Sequence, residues 1–183
     1  MEFINTAKNK IPKLFEKEIL KLYPDKFKLD KLINKSLFLH GEAGTGKTLL
    51  GISTCLKQRS DKKLLWKSDF EFINVTELLF NLRNSYRLSN KHDDIETTEE
   101  LILNKLRKCT LLILDDLGVE KTTDWALQIL YLIINYRYEN EKITIVTSNY
   151  SPEELQEKME DGRIISRLMA MGLVINCKKQ YRN

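Results

Sequence analysis

The sequence is poor in the residues that mark several special classes of protein. Its 183 residues include seven glycines, three prolines and three cysteines. Because Cys55, Cys109 and Cys177 are odd in number and widely spaced, a disulfide scaffold is excluded and buried free thiols in a reducing cytosol are expected. His40 and His92 have no cysteine or histidine at ligand spacing, so a structural metal site is not expected either.

Long apolar stretches and an export signal are also missing. The longest apolar stretches, around Leu111–Leu114 and Ala126–Ile134, are far shorter than the roughly 20 residues that a membrane-spanning helix needs. Residues 1–10 carry charged side chains and lack the apolar segment and cleavage site of a signal peptide. We therefore expect a cytoplasmic protein without membrane contacts.

The overall composition is that of one folded domain. Hydrophobic residues make up 42% of the chain and charged residues 31%, which excludes a disordered or collagen-like chain. Thirty basic and 26 acidic residues leave a net charge of +4, which is compatible with a polyanionic partner. We assign residues 1–35, which are rich in lysine and hold two of the three prolines, to an N-terminal polar arm, and residues 36–183 to one domain.

Strand and helix signals alternate along residues 36–183. Short apolar runs predict strands at Ser36–His40, Phe70–Val75, Leu111–Leu114, Ile143–Val146 and Leu173–Asn176. The segments between them predict helices, with Thr76 as the N-cap of Glu77–Tyr86 and Ser151 as the N-cap of a helix that starts at Pro152. This alternation predicts an α/β fold with a parallel five-stranded sheet flanked by helices.

The most specific motif is a glycine-rich loop between the first predicted strand and the next helix. Gly41-Glu-Ala-Gly-Thr-Gly-Lys47-Thr48 matches the pattern G-x-x-x-x-G-K-[ST] completely. Its glycines allow a tight turn whose N–H groups face phosphate oxygens, and the following helix adds the positive end of its dipole. Lys47 can reach the β- and γ-phosphates of ATP, and the Thr48 hydroxyl can ligate Mg²⁺. The candidate nucleotide-binding residues are Gly41, Glu42, Ala43, Gly44, Thr45, Gly46, Lys47, Thr48 and Leu49.

Two carboxylates follow the third predicted strand. Leu111–Leu114 is an apolar run of the kind that is covered on both faces of a sheet. Asp115 and Asp116 come at its carboxyl end, where open α/β sheets bind ligands. We expect Asp115 to hold Mg²⁺, and Asp116 to orient and polarise the water that attacks the γ-phosphate.

Two further segments complete the expected site. Asn149 follows the fourth strand, and its amide is expected to reach the γ-phosphate or the attacking water. Arg163 and Arg167 are four positions apart and therefore share one helix face. Two interpretations of this pair stay open, a solvated basic face and an arginine offered to the γ-phosphate of a neighbouring subunit. The second interpretation requires the chain to form oligomers.

The motifs GEAGTGKT, LLILDDLG, TIVTSN and GRIISRL, in this order and spacing, resemble those of AAA+ ATPases of the DnaC/DnaI helicase-loader type, with the IstB transposition helpers as close relatives. The resemblance runs from about Ile11 to about Asn176. It implies a P-loop NTPase fold that binds ATP and Mg²⁺, hydrolyses ATP slowly and assembles with ATP at subunit interfaces. The implied roles are Walker A for Lys47 and Thr48, Walker B for Asp115 and Asp116, sensor 1 for Asn149, and arginine finger for Arg167, with Arg163 as the second candidate.

The resemblance also implies partners in DNA replication, namely a replicative helicase or a full-length helicase loader, and single-stranded DNA. In this branch the segment before the Walker B strand holds helices that face DNA, and here that segment is Glu77–Lys108. Its candidate DNA-contacting residues are Arg83, Arg87, Lys91, Lys105, Arg107 and Lys108. Because about 35 residues precede the phosphate loop and the chain ends at Asn183, we expect neither a helicase-binding domain nor a C-terminal helical lid.

Three functions remain open from the sequence. The first is a helicase-loader-like ATPase of DNA replication. The second is an IstB-like transposition helper that assembles on target DNA, and the third is a non-catalytic, ATP-binding regulator of a helicase or loader. A small-molecule kinase also has a phosphate loop, but it fits poorly because the sequence shows no acceptor-binding segment and the Asp-Asp, Asn and Arg series would stay unexplained.

Overall fold

The computed structural model describes residues 31–32, 34–61, 70–88, 98–119, 123–159 and 162–178. The arm assigned to residues 1–35 therefore lies almost entirely outside the described residues. The strands are β1 (Ser36–His40), β2 (Phe70–Asn74), β3 (Leu111–Leu117), β4 (Ile143–Ser148) and β5 (Gly172–Asn176). The helices are α1 (Lys47–Asp61), α2 (Val75–Leu88), α3 (Thr98–Lys108), α4 (Asp124–Glu139), α5 (Pro152–Met159) and α6 (Gly162–Met171). None of these helices is both long and apolar enough to cross a bilayer.

The five strands form one parallel sheet in the order β2-β3-β4-β1-β5. This arrangement confirms the α/β fold with a five-stranded parallel sheet that the alternating pattern predicts. Because the strands are parallel, their carboxyl ends all meet at one side of the sheet, which we call the carboxyl edge. Up to residue 178, β5 is the last element described, and no helical lid follows it in that range.

Helices cover both faces of the sheet. Leu112 and Leu114 of β3 belong to a core cluster shared with α2 to α6, whereas Leu111 and Ile113 belong to a second cluster shared with α1. Successive strand side chains point to opposite faces, so a strand covered on both sides must be apolar at every position. This explains the uninterrupted run at Leu111–Leu114, whose residues are all buried. The three cysteines are buried, as expected, and none forms a disulfide with another.

The helix starts follow capping chemistry, with one correction to the sequence prediction. Ser151 caps α5 as predicted, since its hydroxyl accepts a hydrogen bond from the Glu154 N–H at 3.2 Å. The prediction that Thr76 caps α2 is wrong. The Asn74 side chain, at the end of β2, accepts from the N–H groups of Thr76 and Glu77 at 3.0 and 3.3 Å. Asparagine is a strong N-cap residue, so α2 starts directly from the end of the strand.

A charged side chain of the largely apolar helix α4 lies in the core. Arg137 is completely buried in the last turn of this helix. Its guanidinium donates hydrogen bonds to the carbonyl oxygens of Leu106, Cys109 and Ile143 and to the Thr144 hydroxyl, over 2.6–2.9 Å. These bonds connect the end of α3 to the start of β4, and they satisfy a buried charge that would otherwise be costly.

Candidate functional site

The phosphate loop (Gly41–Thr48) connects the carboxyl end of β1 to α1. Gly41 and Gly44 have φ angles of 135° and 79°, which residues with a Cβ rarely adopt. A Cβ on Gly41 would also clash with the carbonyl oxygen of Cys177. Because α1 begins at Lys47, the N–H groups of its first turn lie at the loop, where they can bind an anion.

The remaining loop residues differ in what they can offer a ligand. Glu42 and Ala43 are exposed, whereas Thr45 is buried and its hydroxyl donates to the Glu42 carbonyl oxygen at 2.9 Å. Leu49 lies in the first turn of α1 and packs its side chain into the core. Leu49 can therefore offer a bound nucleotide only its backbone groups.

Lys47 is the buried cation of the loop. Its Nζ donates to the carbonyl oxygens of Gly41 and Glu42, both at 2.8 Å, and to Asn149 Oδ1 at 2.9 Å. Burial lowers the pKa of Lys47, and nearby acidic groups oppose this shift. The bond to Asn149 joins two of the expected site residues across the carboxyl edge, from the end of β4 to the start of α1.

Asp115 connects the acidic strand to the phosphate loop. Its Oδ1 accepts hydrogen bonds from the Thr48 hydroxyl at 2.8 Å and from the Thr147 hydroxyl at 2.7 Å. Burial raises the pKa of Asp115, and the two hydroxyl bonds oppose that shift. The structure thus places the expected pair of oxygen ligands, Thr48 and Asp115, in direct contact.

Asp116 lies in an irregular part of β3 that the sequence did not indicate. The strand runs to Leu117 rather than ending at Leu114, and its register with β4 shifts between these two residues. Asp116 has a φ of 60°, and a bulge of this kind changes the direction in which a side chain points. Its carboxylate accepts from Asn74 Nδ2 at 3.3 Å, so it contacts β2 while Asp115 contacts α1 and β4.

Sequence reasoning missed two polar residues of this site, Asn74 and Thr147. Thr147 is fully buried, and its hydroxyl accepts from the Asp116 N–H at 2.9 Å while donating to Asp115. Asn74 combines the cap of α2 with the bond to Asp116. Both lie at the carboxyl ends of the strands that flank β3, so a known strand order would have pointed to them.

The two candidate arginines lie on α6 and contact α4. Arg167 is half-buried and Arg163 is exposed. Among the described residues, Arg167 bonds to side chains of α4 and to the Arg163 carbonyl oxygen. The structure therefore does not bring Arg167 to the phosphate loop of its own chain.

The expected DNA-contacting residues that the structure describes differ in their burial and contacts. Arg83 is exposed on α2, with its guanidinium 5.3 Å from the centre of the Trp125 ring. Lys105 pairs with Glu71 at 3.2 Å, and Nε of Arg107 is buried without a hydrogen-bond partner among the described residues. Lys108 is exposed at the end of α3. Lys91 and the side chain of Arg87 lie outside the described residues.

Comparison with known proteins gives consistent matches over most of the chain. A profile of the bacterial DnaA ATPase domain matches residues 2–176. The replicative helicase loader DnaI of Bacillus subtilis (strain 168) is 25% identical over 162 residues, covering 81% of this chain and 47% of DnaI. The replicative helicase loader DnaC of Escherichia coli (strain K12) is 26% identical over 133 residues, covering 73% of this chain and 49% of DnaC.

The fold comparison agrees with the sequence comparison. A crystal structure of the DnaC helicase loader matches with a TM-score of 0.66 at 25% identity, covering 89% of this chain and 88% of that chain. The chain spans about half the length of the two curated loaders that it matches.

Proposed function

Because the chain belongs to the family of the bacterial DnaA ATPase domain and has an AAA+ core of the DnaC/DnaI type, we propose that it is a helicase-loader-like ATPase of DNA replication. In this proposal ATP is bound with Mg²⁺ and hydrolysed at interfaces between identical subunits. The observation that carries it is the hydrogen bond of 2.8 Å between the Thr48 hydroxyl and Asp115 Oδ1. This bond joins the phosphate loop to the acidic strand, which is the junction that ATP hydrolysis needs.

The groups at this junction suit Mg²⁺. Thr48 supplies a hydroxyl oxygen and Asp115 a carboxylate, and Mg²⁺ prefers hard oxygen ligands of this kind. When bound, the ion would supply positive charge that offsets the negative charge of the phosphate groups.

The chain's own residues then divide the catalytic work. Lys47 exchanges its bonds to the loop carbonyl oxygens for phosphate oxygens and stabilises the negative charge that develops there. Asp116 orients the attacking water and accepts its proton, while Asn74 holds the carboxylate by one oxygen. Asn149, which contacts the Lys47 ammonium, positions the γ-phosphate or the water. Arg167 of a neighbouring subunit completes the charge around the γ-phosphate.

Contact with single-stranded DNA is part of the proposal and rests on fewer residues than the sequence suggested. Of the described candidates, Lys105 forms an ion pair with Glu71, and Arg107 is partly buried. Arg83 and Lys108 are exposed on the surfaces of α2 and α3. These two are the described residues that we propose contact phosphates of the DNA backbone.

The proposal is tested by ATP-dependent capture of its partner. The chain is immobilised and incubated with the purified replicative helicase of the same organism, and in parallel with the purified full-length loader, in ATP, in ADP or without nucleotide. We expect retention of one of these partners in ATP, and less retention by the Arg167→Ala variant because its assembly is impaired. Failure to retain either partner, or equal retention without nucleotide, would contradict a nucleotide-controlled role at the helicase.

A further inference from the structure

Arg167 contacts the side chains of Tyr131, Asn135 and Tyr138 on α4. Its Nε donates to Asn135 Oδ1 at 2.6 Å, and its Nη2 donates to the Tyr131 hydroxyl at 3.1 Å. Its Cζ lies 4.9 Å from the centre of the Tyr131 ring and 5.9 Å from that of Tyr138. Contacts of this length between a guanidinium and an aromatic ring are attractive. The direction of the Arg167 side chain is therefore set by a neighbouring helix.

The orientation of Asn135 is itself fixed. Its Nδ2 donates to Glu139 Oε1 at 3.0 Å, one helical turn further along α4. This bond uses the donor end of the amide, so the acceptor end faces Arg167. Glu139, Asn135 and Arg167 thus form a chain of hydrogen bonds in which each group orients the next.

These contacts leave some N–H groups of the Arg167 guanidinium available for a ligand. A guanidinium has five N–H donors, one on Nε and two on each terminal nitrogen. Nε and Nη2 bond to α4, and Nη1 donates to the Arg163 carbonyl oxygen at 3.2 Å. Among the described residues, one donor therefore remains on each terminal nitrogen. A guanidinium that keeps a donor on each terminal nitrogen can bond to two oxygens of a phosphate.

From this geometry we propose that Tyr131 and Asn135 are positioning residues, which direct the two remaining donors of Arg167 at the γ-phosphate bound by the next subunit. The inference rests on the interfacial hydrolysis in the proposed function and names residues that no motif indicates. A side chain that is already ordered loses less conformational entropy when it binds the phosphate. The barrier to hydrolysis is therefore lower, and the rate is higher.

Mixed assemblies test this inference. One subunit type, the arginine donor, carries Lys47→Ala and keeps Arg167, and the other, the nucleotide holder, carries Arg167→Ala and keeps Lys47. In an equal mixture, the only complete sites are those where a donor meets a holder. Asn135→Ala or Tyr131→Phe is then introduced into the donor or into the holder, and the exposed α4 residue is changed by Gln128→Ala as the matched control.

We expect Asn135→Ala or Tyr131→Phe in the donor to lower kcat of the mixture by about fivefold, with KM for ATP unchanged. The same changes in the holder, and Gln128→Ala in either subunit, should leave kcat at the level of the parent mixture. Equal losses from donor and holder would show a structural role and overturn the inference, as would no loss from the donor. If the parent mixture were no more active than its separate components, the interfacial site itself would be refuted and the positioning role with it.

Discussion

Replacing Lys47 by alanine is expected to lower kcat/KM for ATP hydrolysis by on the order of 10³-fold. The Lys47 ammonium lies between the carbonyl oxygens of the phosphate loop and the Asn149 amide. Alanine has no group that can reach the β- and γ-phosphates, so binding of ATP and stabilisation of the transition state are both lost. Phosphate release over a range of ATP concentrations measures kcat/KM, and titration with a fluorescent ATP analogue measures the affinity.

Lys142→Ala is the matched control for this experiment. Lys142 precedes β4 at the amino end of the sheet, and its Nζ donates to the Lys108 carbonyl oxygen at 2.9 Å. The change removes one lysine without touching the phosphate loop, so kcat/KM should stay at the wild-type value. Wild-type turnover by a folded Lys47→Ala variant would exclude this loop as the ATP site.

Replacing Asp116 by asparagine is expected to lower kcat by on the order of 10²–10⁴-fold while ATP still binds. An amide cannot accept the proton of the attacking water, whereas its oxygen can still accept the hydrogen bond from Asn74. Asparagine is also suited to the backbone here, because Asp116 has a φ of 60° and asparagine tolerates that region well. The loss should therefore come from chemistry and not from distortion of β3. Single-turnover hydrolysis with pre-bound ATP measures it.

The control for Asp116→Asn is a carboxylate-to-amide change at the surface. Glu157 is exposed on α5, and Glu157→Gln should leave both kcat and ATP affinity unchanged. If Asp116→Asn hydrolysed ATP at the wild-type rate, another group would have to accept the proton. If it lost ATP affinity as strongly as Lys47→Ala, its assignment to catalysis would be wrong.

The phosphate loop and the buried strand could be predicted because their signals are local. Gly41 to Thr48 form one contiguous motif, and its glycines adopt the positive φ angles of this segment. The run Leu111–Leu114 is apolar at every position because both faces of β3 are covered. In these cases the physical cause acts within a few residues, so the pattern alone is sufficient.

The polar neighbours of the two aspartates could not be predicted, because they depend on strand order. Asn74 and Thr147 reach Asp116 only because β2 and β4 lie on either side of β3. The irregular register at Asp116 depends on the same pairing. The burial of Arg137 could not be predicted for a similar reason. Arg137 lies in an apolar helix, and the carbonyl oxygens that accept its hydrogen bonds belong to α3 and β4. Contacts between distant segments leave no local trace in the sequence.

We propose that the site formed by Lys47, Asp115 and Asp116 is completed by another subunit. The most direct test is the rate of MgATP hydrolysis per subunit of the wild-type chain, measured over a wide range of protein concentration. We expect this rate to rise with concentration as subunits assemble, and the Arg167→Ala variant to remain at the low rate throughout. An absence of hydrolysis at every concentration, or a rate per subunit that is constant and unaffected by Arg167→Ala, would contradict completion of the site by another subunit.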